Sequence, residues 1–126
     1  MQLESLRRFL LSLPHATVRR QWGDDLVFKI GELRMFAVCS VDGATLSRIS
    51  FKVEPADFDE LVGRAGIIPA PYMQRAQWVA LTDALAMEET ELRERLRHSY
   101  ELNLAKLTKG ERAGLESGRR SDTISP

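Results

Sequence analysis

The side chains from which a reaction centre would have to be built are few: two histidines, one cysteine and one adjacent acidic pair in a turn. His15 follows Pro14 where a helix should stop, which suits a surface or capping residue. His98 sits among Glu94, Arg95 and Arg97 and reads as solvated. Zinc needs three or four nitrogen, sulfur or carboxylate ligands in one place. The lone thiol, Cys39, falls in an apolar strand, where it reads as a small inert core residue. Asp24-Asp25 could bind a cation or exchange protons, but neighbouring side chains in a tight turn point apart into solvent. Gly63, Gly66 and the prolines after them match neither a P-loop nor a dinucleotide fingerprint. No catalytic residue, metal ligand or cofactor is therefore assigned.

Cations interleaved with aromatics offer another chemistry. Arg19 and Arg20 precede Trp22, Lys29 follows Phe28, Lys52 follows Phe51, and Arg75 lies between Tyr72 and Trp78. Phosphates take Lys or Arg, and unstacked bases take flat aromatic faces, so this pattern is the raw material of a nucleic-acid surface. Arg20 shares a strand face with Trp22, and Arg48 shares one with Lys52. Each ring also has a plain structural role: Phe51 alternates inward, and Trp22 and Trp78 read as core residues at strand ends.

The elements that must position these residues follow from periodicity. Leu3, Leu6, Leu10 and Leu13 recur at helical spacing and predict an amphipathic helix stopped at Pro14. Residues 18–22, 26–30, 33–40 and 45–53 are short Val-, Ile- and Phe-rich runs separated by Gly23-Asp24-Asp25, Gly31-Glu32 and Asp42-Gly43. Links this short permit only hairpins, so four antiparallel strands in a meander are expected. In the last of them, Thr45, Ser47, Ile49, Phe51 and Val53 point one way and Leu46, Arg48, Ser50 and Lys52 the other, so Ile49, Phe51 and Val53 should face the core and Arg48, Ser50 and Lys52 form a polar row opposite. Residues 33–40 are apolar on both sides, Arg34, Phe36 and Val38 opposing Leu33, Met35, Ala37 and Cys39, as befits a central strand.

Glu54-Pro55-Ala56-Asp57 opens a short second helix that Gly63 should end. Residues 64–77 read as an ordered loop with Ile67, Ile68, Tyr72 and Met73 packed inward, and residues 78–81 as a fifth strand. A final helix over residues 87–107 places Leu92, Leu96, Tyr100, Leu104 and Leu107 on one face. Its Glu89/Arg93 and Glu91/Arg95 pairs lie on the solvent side. One domain over residues 1–108 is expected, with residues 109–126 a disordered polar tail too poor in apolar residues to order itself.

Bulk properties set limits. At 126 residues with 44% hydrophobic side chains, the chain suits one globular domain. Lys plus Arg equals Asp plus Glu, 18 against 18, so no global field draws nucleic acid or a membrane, and any DNA site must be a local patch. No run approaches the ~20 apolar residues of a membrane span. Residues 1–5 lack the character of a secretory signal, and a single cysteine forms no internal disulfide. A cytoplasmic monomer is the expectation.

A set of motifs in fixed order adds to this reading. Leu13-Pro14-His15-Ala16, Trp22-Gly23-Asp24-Asp25, Phe28-Lys29-Ile30-Gly31, Met35-Phe36-Ala37 and Ser50-Phe51-Lys52-Val53 come first. Gly66-Ile67-Ile68-Pro69-Ala70-Pro71-Tyr72-Met73, Trp78-Val79-Ala80-Leu81 and Ser99-Tyr100 follow. Over residues 3–109 the chain resembles the MmcQ/YjbR family of small bacterial proteins. The resemblance implies an α+β fold, a two-layer α/β sandwich in which an antiparallel meander sheet packs against the N- and C-terminal helices, comparable with CyaY-like proteins and type III secretion chaperones. It also implies DNA binding by projecting hairpins in a double wing, and carries Lys29, Lys52 and Arg75 over as nucleic-acid residues. Arg75 stands where relatives often have Lys, with its charge kept; Gln77 stands where some carry His.

Two functions remain open at this point. One is a non-catalytic module that binds DNA weakly, without sequence preference, through Arg19, Arg20, Lys29, Arg48, Lys52 and Arg75. The other is a protein-interaction or chaperone-like adaptor that docks partners on the exposed sheet face or the loop at residues 66–73.

Overall fold

The computed structural model describes residues 2–43 and 45–124, with the side chains of residue 84 and of residues 118–124 left aside. Helix α1 (Leu3–Leu11) leads into strands β1 (Ala16–Gln21), β2 (Asp25–Ile30), β3 (Arg34–Asp42) and β4 (Thr45–Lys52). Helix α2 (Pro55–Val62), strands β5 (Ile67–Pro69) and β6 (Trp78–Leu81), and helices α3 (Glu89–Leu104) and α4 (Lys109–Ile124) complete the chain. The six strands form one antiparallel sheet in the order β1-β2-β3-β4-β6-β5. This is the expected α+β arrangement, with the four-strand meander in place. β5 is the strand the sequence reading placed inside a loop: three residues long, at the sheet edge, it ends on a proline that an edge strand tolerates.

One sheet face carries the main core. Leu6 and Leu10 of α1, Leu61 of α2, and Leu92, Leu96 and Tyr100 of α3 pack on Phe28, Ile30, Phe36, Ile49, Phe51 and Val53. Two bulges set which side chains reach it. Phe28 and Lys29 are adjacent on β2 but pair with Ala37 and Met35, so Phe36 is an extra residue on β3 and joins Ala37 on the helix face. Ser40 and Val41 pair with Arg48 and Leu46, leaving Ser47 extra on β4. Beyond that bulge Leu46 turns to the core side, contrary to strict alternation.

Helix α2 begins with Pro55 in its first turn and ends at Gly63, as the sequence indicates. Arg64 ties it to α3, with Nη1 to Glu91 at 2.9 Å and Nη2 to Glu60 at 2.9 Å. The expected Glu89/Arg93 and Glu91/Arg95 pairs are present at 3.7 and 3.9 Å, while Arg95 lies nearer Asp57, at 3.2 Å.

Residues 109–124, expected as a tail without structure, form α4. Two local features account for it. Thr108-Lys109-Gly110-Glu111 is a reciprocal capping box: Thr108 Oγ1 accepts the Glu111 N–H at 3.0 Å, and the Glu111 carboxylate accepts the Thr108 N–H at 2.9 Å. Leu115 then packs on the core at Gly31, where φ is +54° and a Cβ would fall 1.9 Å from Leu115 Cδ2. Residues 125 and 126 of the expected tail lie outside the described residues.

Candidate nucleic-acid interface

The second sheet face is partly covered and partly open. Val27, Val38, Ala70, Trp78 and Ala80 form a small buried cluster there, with Met35 and Met73 against it. Residues 70–77 lie over this cluster, held by Ala70 N–H to Trp78 C=O at 2.9 Å and Trp78 N–H to Met73 C=O at 3.2 Å. Beside it opens a groove of about 500 Å³ lined by Trp22, Asp25, Met35, Val38, Ser40, Arg48, Ser50, Pro71, Tyr72 and Met73.

Strand register builds the groove floor. Gln21 pairs with Asp25, Leu26 with Cys39, and Ser40 with Arg48, so Gln21, Asp25, Ser40 and Arg48 form one transverse row. The next row on the same face is Arg19, Val27, Val38, Ser50 and Ala80. A carboxylate, a hydroxyl and a guanidinium thus stand on three successive strands, Asp25 and Arg48 about 10 Å apart by strand spacing. Next to Asp25, the Gln21 Oε1 is buried with no hydrogen-bond partner among the described residues.

Two aromatic residues form the groove walls. Trp22, in the β1–β2 turn, is 64% exposed, and Tyr72, in the turn after Pro71, is 100% exposed. The sequence reading put both inside. Each has a left-handed backbone, φ +50° at Trp22 and +67° at Tyr72, a region that bulky side chains rarely adopt. In that conformation a residue leaves the strand alternation, so neither ring follows the inward neighbours from which its burial was inferred. Trp78, by contrast, is buried as expected. Ile67 is buried, but Ile68 is also exposed, since it points from the edge strand onto the uncovered part of this face.

The candidate cations divide. Arg19, Lys29, Arg48 and Lys52 all project from the second sheet face by register, and Arg75 is exposed on the segment lying over it. Arg20 alternates to the opposite side and pairs with Asp24 at 3.4 Å. It does not share the side of Trp22, because the positive φ of Trp22 turns that ring away. Arg19 is held by Glu32 at 2.5 Å, a contact that helps Thr17 keep the Glu32 carboxyl below its usual range. Arg48, Lys29 and Arg75 make no ion pair among the described residues.

Lys52 donates to the Ala76 carbonyl, which joins β4 to the overlying segment. Burial lowers its ammonium pKa, and the positive charges of Lys106 and Arg34 lower it further. Arg34 and Lys106 are thus cations at this end of the sheet that sequence reasoning did not select. The bulge at Phe36, which puts Arg34 on the helix side, carries no pattern in the sequence.

Other groups that could do chemistry are placed apart from one another. Cys39 is fully buried, and burial, with a smaller contribution from the Asp25 charge, pushes its thiol up to about 12. The His98 ring lies 3.4 Å from Glu101 and 3.7 Å from Glu54 on the helical side. Asp24 and Asp25 point apart, one to Arg20 and one to the groove. No group of three or more His, Cys, Asp or Glu able to hold a metal occurs among the described residues. No described helix is long and apolar enough to cross a membrane.

Comparison with known proteins agrees with this architecture. The model of the YjbR family matches residues 11–102. A Deinococcus radiodurans protein of known crystal structure, carrying the DUF419 family domain, is 34% identical, with a TM-score of 0.78 over 91% of this chain and 88% of its own. A Pseudomonas syringae protein of 18% identity shares the fold, with a TM-score of 0.66 over 82% of this chain and 99% of its own. No curated protein matches the chain.

Proposed function

The chain belongs to the YjbR family, and from that premise we propose that it is a non-catalytic DNA-binding protein acting through the open sheet face. Binding is weak, falls mainly on the phosphate backbone and shows little sequence preference. The observation that carries this reading is the common sheet face of Lys29, Arg48 and Lys52, with Arg75 exposed on the segment over that face and Arg48 lining the groove with two exposed rings. Lys52 adds weight to it, since burial first, and then the charges of Lys106 and Arg34, disfavour its ammonium, and a bound anion would favour it. Arg19 sits on the same face with its charge already met by Glu32, and Arg20 faces away, so both contribute less. In this reading the protein works as a monomer in the cytoplasm.

The test is fluorescence anisotropy with labelled DNA at two salt concentrations, with a Lys29/Lys52/Arg75→Ala triple variant beside the wild type. Affinity should fall steeply with salt, because each neutralised phosphate releases counterions. The triple variant should bind more weakly and show a shallower salt slope. Absence of binding at tens of micromolar protein in low salt removes this reading.

One observation favours a protein-interaction role instead. Met35, Met73 and Pro71 give the groove an adaptable apolar lining of the kind used for side-chain capture. Binding of a protein partner there would change little with salt.

A further inference from the structure

A phosphate-binding patch needs cations and nothing else, yet this groove is built of more. Its walls are the exposed rings of Trp22 and Tyr72, both on left-handed backbone that costs about 1–2 kcal/mol for a residue with a Cβ. Neither ring belongs to a buried cluster, so the folded chain draws little packing from Trp22 and none from Tyr72 to repay the conformation. Between them the floor is largely apolar, with Val38, Met35 and Met73, and about 500 Å³ is open. Across one end runs the row Asp25, Ser40 and Arg48. A carboxylate repels phosphate, so Asp25 in the same row as Arg48, two strands away, is out of place if the ligand shows only its backbone. It is in place if the ligand also presents the hydrogen-bond donors of a base edge, which a carboxylate accepts.

Resting on the DNA-binding reading above, we infer that the groove takes an unpaired base, so that the protein selects single-stranded over duplex DNA. Bases stack on Trp22 and Tyr72, Arg48 meets the adjoining phosphate, and Asp25 accepts from the base edge. In a duplex the base faces are stacked on one another and the donor edges are largely paired, so only the cations would be used. Base stacking on an aromatic side chain is sequence-tolerant, because every base has a π-face.

The test compares a 15-nucleotide mixed-sequence single strand with the duplex of the same sequence, at one salt concentration. The proteins are wild type, the Trp22→Ala/Tyr72→Ala double variant and the Trp22→Phe/Tyr72→Phe double variant, each checked for an unchanged unfolding midpoint or its shift. The expected result is single-strand affinity about tenfold above duplex affinity, lost in the alanine variant and largely kept in the phenylalanine one. Quenching of tryptophan emission by the single strand should accompany binding and vanish with Trp22→Phe, since Trp78 is only 4% exposed. Equal affinity for both DNAs, or a single-strand preference that survives the alanine variant, overturns the inference and leaves the phosphate-binding reading standing. Failure to bind either DNA overturns both.

Discussion

Ser99 of α3 takes the place of a strand neighbour for Lys52. Its hydroxyl oxygen accepts the Lys52 backbone N–H at 2.9 Å and donates to the Phe36 carbonyl at 2.7 Å. The two strands part there because Phe36 is bulged, and the hydroxyl closes the gap between them. Tyr100, next along, donates to the Pro14 carbonyl at 2.6 Å and meets Phe36 edge-on at 5.2 Å. Asn103 binds the Ser99 carbonyl at 2.8 Å and accepts from Arg34 at 3.1 Å. One helix turn thus secures the end of the sheet that carries Lys52 and Arg34.

Ser99→Ala leaves a buried carbonyl and a buried N–H without partners. The expected loss is about 1–3 kcal/mol of unfolding free energy, measured by urea denaturation. A loss no greater than that of an ordinary surface substitution would mean that the strands close on each other when the hydroxyl is gone.

Tyr72→Asn and Trp22→Asn should leave stability unchanged or raise it by up to about 1 kcal/mol. Asn tolerates the left-handed backbone, and the rings are largely in solvent. Single-strand binding should fall in the same variants. A substitution that stabilises the fold while weakening the ligand would identify residues kept for binding, read from urea melts and anisotropy on the same samples.

Asp25→Asn tests the acceptor in the groove. Wild-type protein should favour oligo-dC over oligo-dT, because cytosine carries an amino donor where thymine has a carbonyl. The variant should narrow that difference several-fold while its salt dependence stays the same. Competition of the two oligonucleotides against one labelled strand supplies the ratio.

Cys39 gives a pH prediction. Its thiol stays protonated in the folded chain up to about 12, whereas the ordinary value is 9.0. The stabilisation from the neutral buried thiol is therefore complete below pH 9 and is lost as pH rises from 9 toward 12. The slope from this group is at most about 1.4 kcal/mol per pH unit. Folded protein should resist thiol labelling at pH 8, and the labelling rate should track unfolding as urea is added. Fast labelling in native buffer would show the thiol reachable without unfolding.

Leu115→Ala and Thr108→Ala address α4. The first removes the contact at Gly31, and the second removes half of the capping box, typically worth about 1 kcal/mol. Amide exchange in α4 should accelerate in both variants while β2 and β3 stay protected. Uniform acceleration across the domain would show α4 unfolding with the sheet rather than ahead of it.

The α+β fold, the hairpin meander and the three core helices were legible because periodicity and short turns act locally: a two- or three-residue link with Gly or Asp permits few geometries. α4 was missed: its start signal, Thr108-x-x-Glu111, stands in the sequence, but its low apolar content pointed to a disordered tail. The short edge strand β5 was not, since three residues beside a proline carry no alternation. For the site, residue types alone selected Lys29, Arg48, Lys52 and Arg75. Only the tertiary structure decided that Lys29 joins Arg48 and Lys52 on one face, that Arg19 is paired with Glu32 on that face while Arg20 turns away, and that Trp22 and Tyr72 leave the core. Faces are assigned by counting twos along a strand, and each bulge or left-handed residue breaks the count. Where those breaks fall depends on cross-strand pairing and on a helix hydroxyl reaching in, which lie far from these residues in the sequence.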